Sequence, residues 1–424
     1  MNAFFLFIEI FIYLFALFLL FKKKDLVIIY LPVLIFSYNL IVPTFSASIY
    51  YSTICILLFA SVVRNGSFFR HNMYAVILFF YFLLLLTKAS DLEAIRPSIF
   101  SVSWLLISIP LIHAVFKKYD EQCILNEVGN AAILILGLFL INVLFSSIHR
   151  YSPNAMYGIT SGVLYGNLYG AGFNILSLAL FATVLRYLDK RRALDFLILI
   201  VSFAALMLSL RRSVMLVGAL GVVIALLSLL TMKDAKRFVA FTCLLGVFGY
   251  LIYANTPFMN VFKERYEMRK LDERPLDEEK RLIEYELVYK DMFEYKDYSP
   301  WTGYEPFNSS GHYGRGIFEL RTLHADLPSI AHSSGILGLV LYLLTVFTSF
   351  AKAHRHAATY LDKLILLFSF AAFTTFTITG RFTEAASMIF IFLLINMPLA
   401  RSASVAEVEL EEASELVPVK KLAL

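Results

Sequence analysis

Long apolar runs, broken at intervals by short charged clusters, set the pattern of this chain. Runs such as Phe4 to Phe21 show no alternation of apolar and polar positions, so they are not barrel strands, which have period two over about ten residues. Each is long enough to cross a ~30 Å hydrocarbon core as a helix. The pattern predicts about thirteen spans, near 3–21, 26–44, 46–63, 73–88, 99–116, 129–147, 168–187, 194–210, 213–231, 238–254, 329–350, 364–379 and 385–399. The expected fold is an all-α polytopic membrane protein. A bundle over 1–254 is followed by one large extracytoplasmic loop over 255–328, the last three spans over 329–399, and a tail over 400–424.

The charged clusters orient this bundle. Every second connection is basic: Lys22 to Lys24; Arg64 and Arg70; Lys117 and Lys118; Arg186, Lys190, Arg191 and Arg192; Lys233, Lys236 and Arg237; Lys352, Arg355 and Lys363. Cytoplasmic connections collect Lys and Arg, which places the N-terminus outside and the C-terminus inside. The first apolar run has no basic segment before it and no small-residue cleavage site after it, which is wrong for a cleaved signal peptide.

Composition agrees. The chain has 424 residues, of which 59% are hydrophobic and 16% charged, whereas a soluble domain carries about a quarter charged residues. The net charge of +5 is distributed over the turns, and no nucleic-acid partner is expected. Cys55, Cys123 and Cys243 fall in or beside apolar runs, so no disulfide framework is indicated. No carboxylate cluster with Mg²⁺ spacing and no Cys/His zinc pattern lies on the outer side; neither a metal nor a cofactor is expected. The tail from Arg401 is acidic and ends in a Lys pair, and His354 and His356 fall in a cytoplasmic turn.

Candidate chemistry concentrates outside. Between Lys263 and Tyr295, Leu282, Ile283, Leu287, Tyr289, Met292 and Phe293 recur at intervals of three and four, predicting an amphipathic helix on the outer membrane face or on the bundle. Pro275 suits its start. The stretch Ser299 to Gly316 reads as irregular loop, with Trp301, Tyr304, Phe307 and Tyr313 able to stack on sugar faces or to anchor the loop at the interface, where Trp and Tyr are enriched. The outer connection Ser146 to Asn167 is rich in Tyr and Gly. Arg211 and Arg212, in the tight turn Ser209 to Ser213, interrupt nearly continuous apolar sequence. They fit a lipid-phosphate anchor. They also fit a pyrophosphate grip, for which the planar arginine fork is suited.

Taken in order, these segments resemble the O-antigen ligase and O-antigen polymerase superfamily. Ser209, Arg211, Arg212 and Ser213 match its polar/Arg motif at the outer end of a helix. Arg281 to Met292 followed by Pro300-Trp301-Thr302-Gly303 matches an Arg, an amphipathic helix and a Pro-x-x-Gly turn. His324-Ala325-Asp326, followed by Gly335-Ile336-Leu337-Gly338, matches the His-led start of a Gly-Ile-x-Gly helix. Ala325 replaces the usual Asn, and Glu305 stands where a second Gly is common.

The resemblance implies a membrane glycosyltransferase of the bacterial inner membrane with its site facing the periplasm. Its donor would be a polyprenyl-pyrophosphate-linked glycan, and its acceptor a lipid-linked repeat or lipid A-core. Membrane lipids and other polysaccharide-assembly proteins are the implied surroundings. It assigns Arg211 and Arg212 to the donor pyrophosphate and His324 to the general base or to phosphate binding. Arg281, Arg321, Trp301 and Tyr304 are assigned to substrate binding. The competing readings are a flippase for lipid-linked glycans and a non-catalytic envelope scaffold. A transporter ordinarily carries charges at mid-membrane, where this sequence shows only Glu9.

Overall fold

The computed structural model describes residues 1–151, 165–168, 170–209, 211–228, 280–380 and 382–400, with isolated positions between 243 and 263. The expected span at 238–254, most of the connection 146–167, the segment around Pro275 and the tail from Arg401 lie largely or wholly outside the described residues. The other apolar runs become helices: α1 Asn2–Phe18, α2 Val27–Asn39, α3 Ala47–Arg64, α4 Met73–Leu85, α5 Leu92–Phe116, α6 Glu121–Ile148 and α7 Asn174–Lys190. They continue with α8 Ala193–Leu208, α9 Arg212–Leu227, the loop helix α10 Lys280–Tyr289, α11 Asp326–His356, α12 Tyr360–Thr379 and α13 Ala385–Asn396. Among the described residues there is no strand, only an isolated bridge between Ser299 and Gly303.

A helix that is apolar on every side belongs inside a bundle or in lipid. The sequence cannot say which; packing can. Helices α2, α7 and α13 are buried along almost their whole length and form the centre. Helices α1, α3 and α4 keep one side outward, with Phe7, Phe59 and Phe80 at least 60% exposed. Among the described residues, six helical segments are long and apolar enough to cross a membrane, including α5, α6, α11 and α12. Shorter apolar helices at α4, α8, α9 and α13 accompany them. This is a polytopic helical membrane protein.

Side-chain contacts fix the direction of each helix. Asn130 meets Arg186 while Phe139 meets Phe173, so α6 and α7 run antiparallel. Asn72 reaches the Thr345 carbonyl and Tyr81 the Ser334 carbonyl, so α4 and α11 are antiparallel too. Arg211 lies over Phe173, and Gly221 of α9 packs on Phe181, making α9 parallel to α7. Gly221 also takes the Phe368 ring of α12, with no room between them for a Cβ. The bundle therefore has two unlike ends. One gathers Lys22–Lys24, Arg64, Arg70, Lys117, Lys118 and Lys352; the other gathers Arg211, the loop after α10 and the start of α11.

Charges inside the bundle are satisfied locally, because an unpaired ion there costs several kcal/mol. The Glu9 carboxylate accepts the Thr44 and Phe45 backbone N–H groups at 2.7 and 3.1 Å, closing the turn between α2 and α3. Arg186, counted above among the connecting-loop charges, is instead buried against Asp195 at 2.9 Å and against Asn130. Its positive charge is spent within the bundle.

Candidate active site

The loop end is built around Glu284. The amphipathic helix expected from Leu282, Ile283, Leu287, Tyr289, Met292 and Phe293 forms as α10 and continues into a π-helical turn over Lys290–Glu294. Its buried stripe runs through Glu284, Leu287, Val288, Asp291 and Met292, the spacing of one helical face. Leu282, Tyr285, Tyr289 and Phe293 form an outward apolar face, 36–56% exposed. The helix has two apolar faces, and the inner one carries both carboxylates.

Glu284 is fully buried and its oxygens are fully used. Arg321 donates Nη2 to Oε1 at 2.8 Å, and the backbone N–H groups of His324 and Ala325 donate to Oε2 at 2.8 and 3.0 Å. Those two N–H groups open α11, where a helix has unpaired donors and favours negative charge. Burial pushes the Glu284 carboxyl up, but the hydrogen bonds from His324 and Ala325 and the Arg321 charge outweigh it and hold the group below its ordinary value.

His324 projects from this anchor with 42% of its side chain exposed. Its Nδ1 receives Arg321 Nε at 3.2 Å and stands 3.5 Å from Glu284 Oε1. Arginine has only donors to give, so in this arrangement Nδ1 offers a lone pair and the ring proton sits on Nε2. If Arg321 turns away, Nδ1 can carry the proton toward Glu284 and leave Nε2 as the basic nitrogen. One carboxylate oxygen, Glu284 Oε1, thus faces both the arginine and the histidine.

Asp291, two turns along the same face, accepts the Gly314 N–H at 2.7 Å and ties α10 to the loop. Burial raises its carboxyl above the ordinary value.

The Pro300-Trp301-Thr302-Gly303 turn and the Gly335 motif prove to be two halves of one joint. Helix α11 breaks at Gly335, where φ is 65° and ψ −170°. The Pro300 carbonyl accepts the Ile336 N–H at 2.8 Å, and the His332 carbonyl accepts the Tyr304 N–H at 2.7 Å. A Cβ on Gly303 would lie 2.7 Å from the Gly335 nitrogen, and a Cβ on Gly335 would overlap the Trp301 carbonyl. Tyr81 braces the joint, donating its hydroxyl to the Ser334 carbonyl at 3.0 Å.

The aromatic residues divide. Trp301 is 60% exposed. Tyr304 is half-buried and stacks on His312 with ring centres 5.0 Å apart. Phe307 is spent on Phe82, and Tyr313 is buried; neither offers a face to a sugar. Beneath them His332 is fully buried, its Nε2 donating to the His312 carbonyl at 3.0 Å.

Arg211 is half-buried over the Phe173 ring at 4.8 Å, and Arg212 is exposed as the first residue of α9. Helix α9 packs on α12, and α12 ends at Gly380, directly against the His324 carbonyl. The arginine pair and His324 therefore share one end of the bundle, on neighbouring elements. Arg281 is half-buried on α10, three residues before Glu284.

Residues 197–343 match the family model described as O-antigen ligase. The match over that segment supports the resemblance to the O-antigen ligase and polymerase superfamily. The O-antigen ligase match runs from α8 into the second half of α11 and encloses Arg211, Arg212, Arg281, Glu284, Arg321, His324 and the Gly303–Gly335 joint. A comparison with curated proteins finds no match. Sequence reasoning reached every one of these segments but passed over Glu284. The available signal was a carboxylate at the buried spacing of α10, in register with Leu287, Val288 and Asp291.

Proposed function

We propose that the chain moves a polyprenyl-pyrophosphate-linked O-antigen or exopolysaccharide unit to a hydroxyl acceptor at the periplasmic face of the inner membrane. The observation that carries this reading is the buried Glu284 carboxylate, which gathers Arg321 and His324 at the mouth of α11 within the O-antigen ligase segment.

In the proposed reaction Arg321 turns from the ring, Nδ1–H faces Glu284, and the acceptor hydroxyl gives its proton to His324 Nε2 while its oxygen bonds to the anomeric carbon of the donor glycan. The bond from that carbon to the pyrophosphate oxygen breaks, and its electron pair leaves with the polyprenyl pyrophosphate. Glu284, beside Nδ1, stabilises the imidazolium so formed. His suits this task because its ordinary pKa lies near neutrality.

Arg211 and Arg212 meet the growing charge on the leaving group, with Arg281 and Arg321 as further members of the cluster. Groups placed where charge develops contribute several kcal/mol to such steps. The leaving group is answered by arginine, so the scheme gives a metal no role. Trp301 offers its exposed face, and Tyr304 its half-buried ring, to the sugars.

The test is the glycan made by a strain lacking the chain, complemented with wild type or with Arg211→Ala, Arg212→Ala or His324→Ala. A lost polymerase leaves one-repeat products; a lost ligase leaves polymer on the lipid carrier. Each variant, still inserted in the membrane, should reproduce the deletion phenotype. Wild-type glycan from all three variants would overturn the enzyme reading and leave the transporter or scaffold.

A further inference from the structure

Beside α11, against which α4 packs, helices α3, α4 and α5 line an apolar cavity of about 590 Å³. Its wall is aromatic, with Phe59, Phe80, Phe100 and Trp104 among its residues, and Cys55 and Ser103 are the small polar ones. Phe59 and Phe80 are 70% and 62% exposed, so the cavity opens sideways toward lipid. Above it a narrow crevice shares Phe79, Leu83 and Ser103 and reaches Phe307, in the loop that forms the candidate site. The apolar path therefore ends under the Gly303–Gly335 joint.

A cation waits at the upper end. Lys88, just beyond α4, is exposed and donates Nζ to the Thr302 hydroxyl at 2.6 Å and to the Gly303 carbonyl at 3.5 Å. Among the described residues no carboxylate stands within ion-pair distance of it: the nearby Glu305 accepts from Ser90 and Asn308, and Asp91 caps α5. An exposed ammonium held by neutral oxygens at the mouth of an apolar path is complementary to a phosphate on a lipid tail.

We propose that this groove holds the polyprenyl chain of a lipid-linked acceptor, with its phosphate at Lys88. The donor then approaches His324 from the Arg211 and Arg212 side, and the acceptor from the α4 side of α11. This assignment rests on the glycan-transfer reading above. The volume fits the first few isoprene units of one chain, since about 590 Å³ holds on the order of twenty groups of ~30 Å³, the size of a liquid water. A lipid A anchor brings several chains. Rings along the wall suit the branched methyls of an isoprenoid, which pack against aromatic faces.

The test uses the full chain in nanodiscs with Cys123→Ser and Cys243→Ser, leaving Cys55 in the groove as the single thiol. Maleimide labelling of Cys55 is measured with and without a polyprenyl phosphate, and with a diacyl phosphatidic acid as the competing lipid. The polyprenyl phosphate should slow labelling at least fivefold. Phosphatidic acid should not, and Lys88→Gln should remove most of the protection. Equal protection by both lipids, or none by either, overturns the proposal.

Ser103→Phe, which fills the groove without touching the site residues, should lower glycan product while the variant remains inserted. Unchanged product with Ser103→Phe, alongside wild-type activity, sinks the groove assignment and leaves the transfer reading standing. Protection of Cys55 in a chain that makes no glycan product sinks the transfer reading and leaves a polyprenyl-phosphate site.

Discussion

Glu284 is fully buried, so its three hydrogen bonds carry the junction between α10 and α11. Removing one partner of a buried, hydrogen-bonded ion pair costs about 3–5 kcal/mol, because the remaining groups stay desolvated. Glu284→Ala should therefore open the segment 321–326 to hydrogen exchange and abolish glycan product. Glu284→Gln keeps an acceptor for the α11 N–H groups and should retain the fold but not the imidazolium support, giving a lower rate with near-native exchange protection. The carboxylates of Glu284 in α10 and Asp291 in the turn after it are shifted in opposite senses. Glu284 sits below its ordinary value of 4.5, so its contribution is present above that value and is lost as the pH falls through the lower folded one. Asp291 is raised above its ordinary value of 3.8, so its contribution is complete below 3.8 and is lost as the pH rises through the higher folded value. Asp291→Asn keeps an acceptor for the Gly314 N–H and removes the buried charge. Exchange protection around Gly314 should rise at pH 7 and match wild type in acid; reduced protection at pH 7 would contradict the burial argument.

At the scale of elements, the decisive feature is the joint between the Pro300–Gly303 turn and the break in α11. At Gly335 the backbone lies in a region open essentially to glycine alone, where another residue costs of order 1–3 kcal/mol. An added methyl would also meet the Trp301 carbonyl. Gly335→Ala should consequently displace the loop and lower activity at least tenfold, whereas Gly137→Ala in α6 meets nothing within 4 Å and should stabilise by up to about 1 kcal/mol. Limited proteolysis between Tyr295 and Arg321 reads the difference; equal resistance in both variants would remove the joint from the account. Both halves of this joint were legible as separate motifs, but their contact was not, because it joins backbone atoms some thirty positions apart without any side-chain signature. Helix α10 shows the same limit. Its amphipathic period was readable, but the apolar positions that carry it divide between a buried face with Leu287 and Met292 and an outward face with Leu282, Tyr289 and Phe293. The carboxylates at Glu284 and Asp291 counted against the buried face until their N–H and guanidinium partners were visible.

For the whole molecule, apolar runs separated by alternating basic connections were enough to place the helices, because lipid forces every backbone polar group to be satisfied within a helix. Hydropathy could not rank the helices by depth. Helix α7 is central although it contains Asn174, Ser177, Thr183 and Arg186, all buried in the bundle. The two unlike ends carry a prediction about sidedness. Basic residues mark the cytoplasmic side, so the end bearing Lys117, Lys118 and Lys352 should face the cytoplasm and the end bearing His324 the periplasm. In a background with the three native cysteines replaced by serine, Leu320→Cys, 82% exposed at the loop end, should react with a membrane-impermeant maleimide in intact spheroplasts. Arg355→Cys, exposed near the end of α11, should react only after the membrane is opened. Helix α11 joins these two positions, so labelling of both from one side would mean that it does not cross the bilayer. Labelling in the reverse order would turn the candidate site toward the cytoplasm, where the periplasmic glycan-transfer reading could not hold.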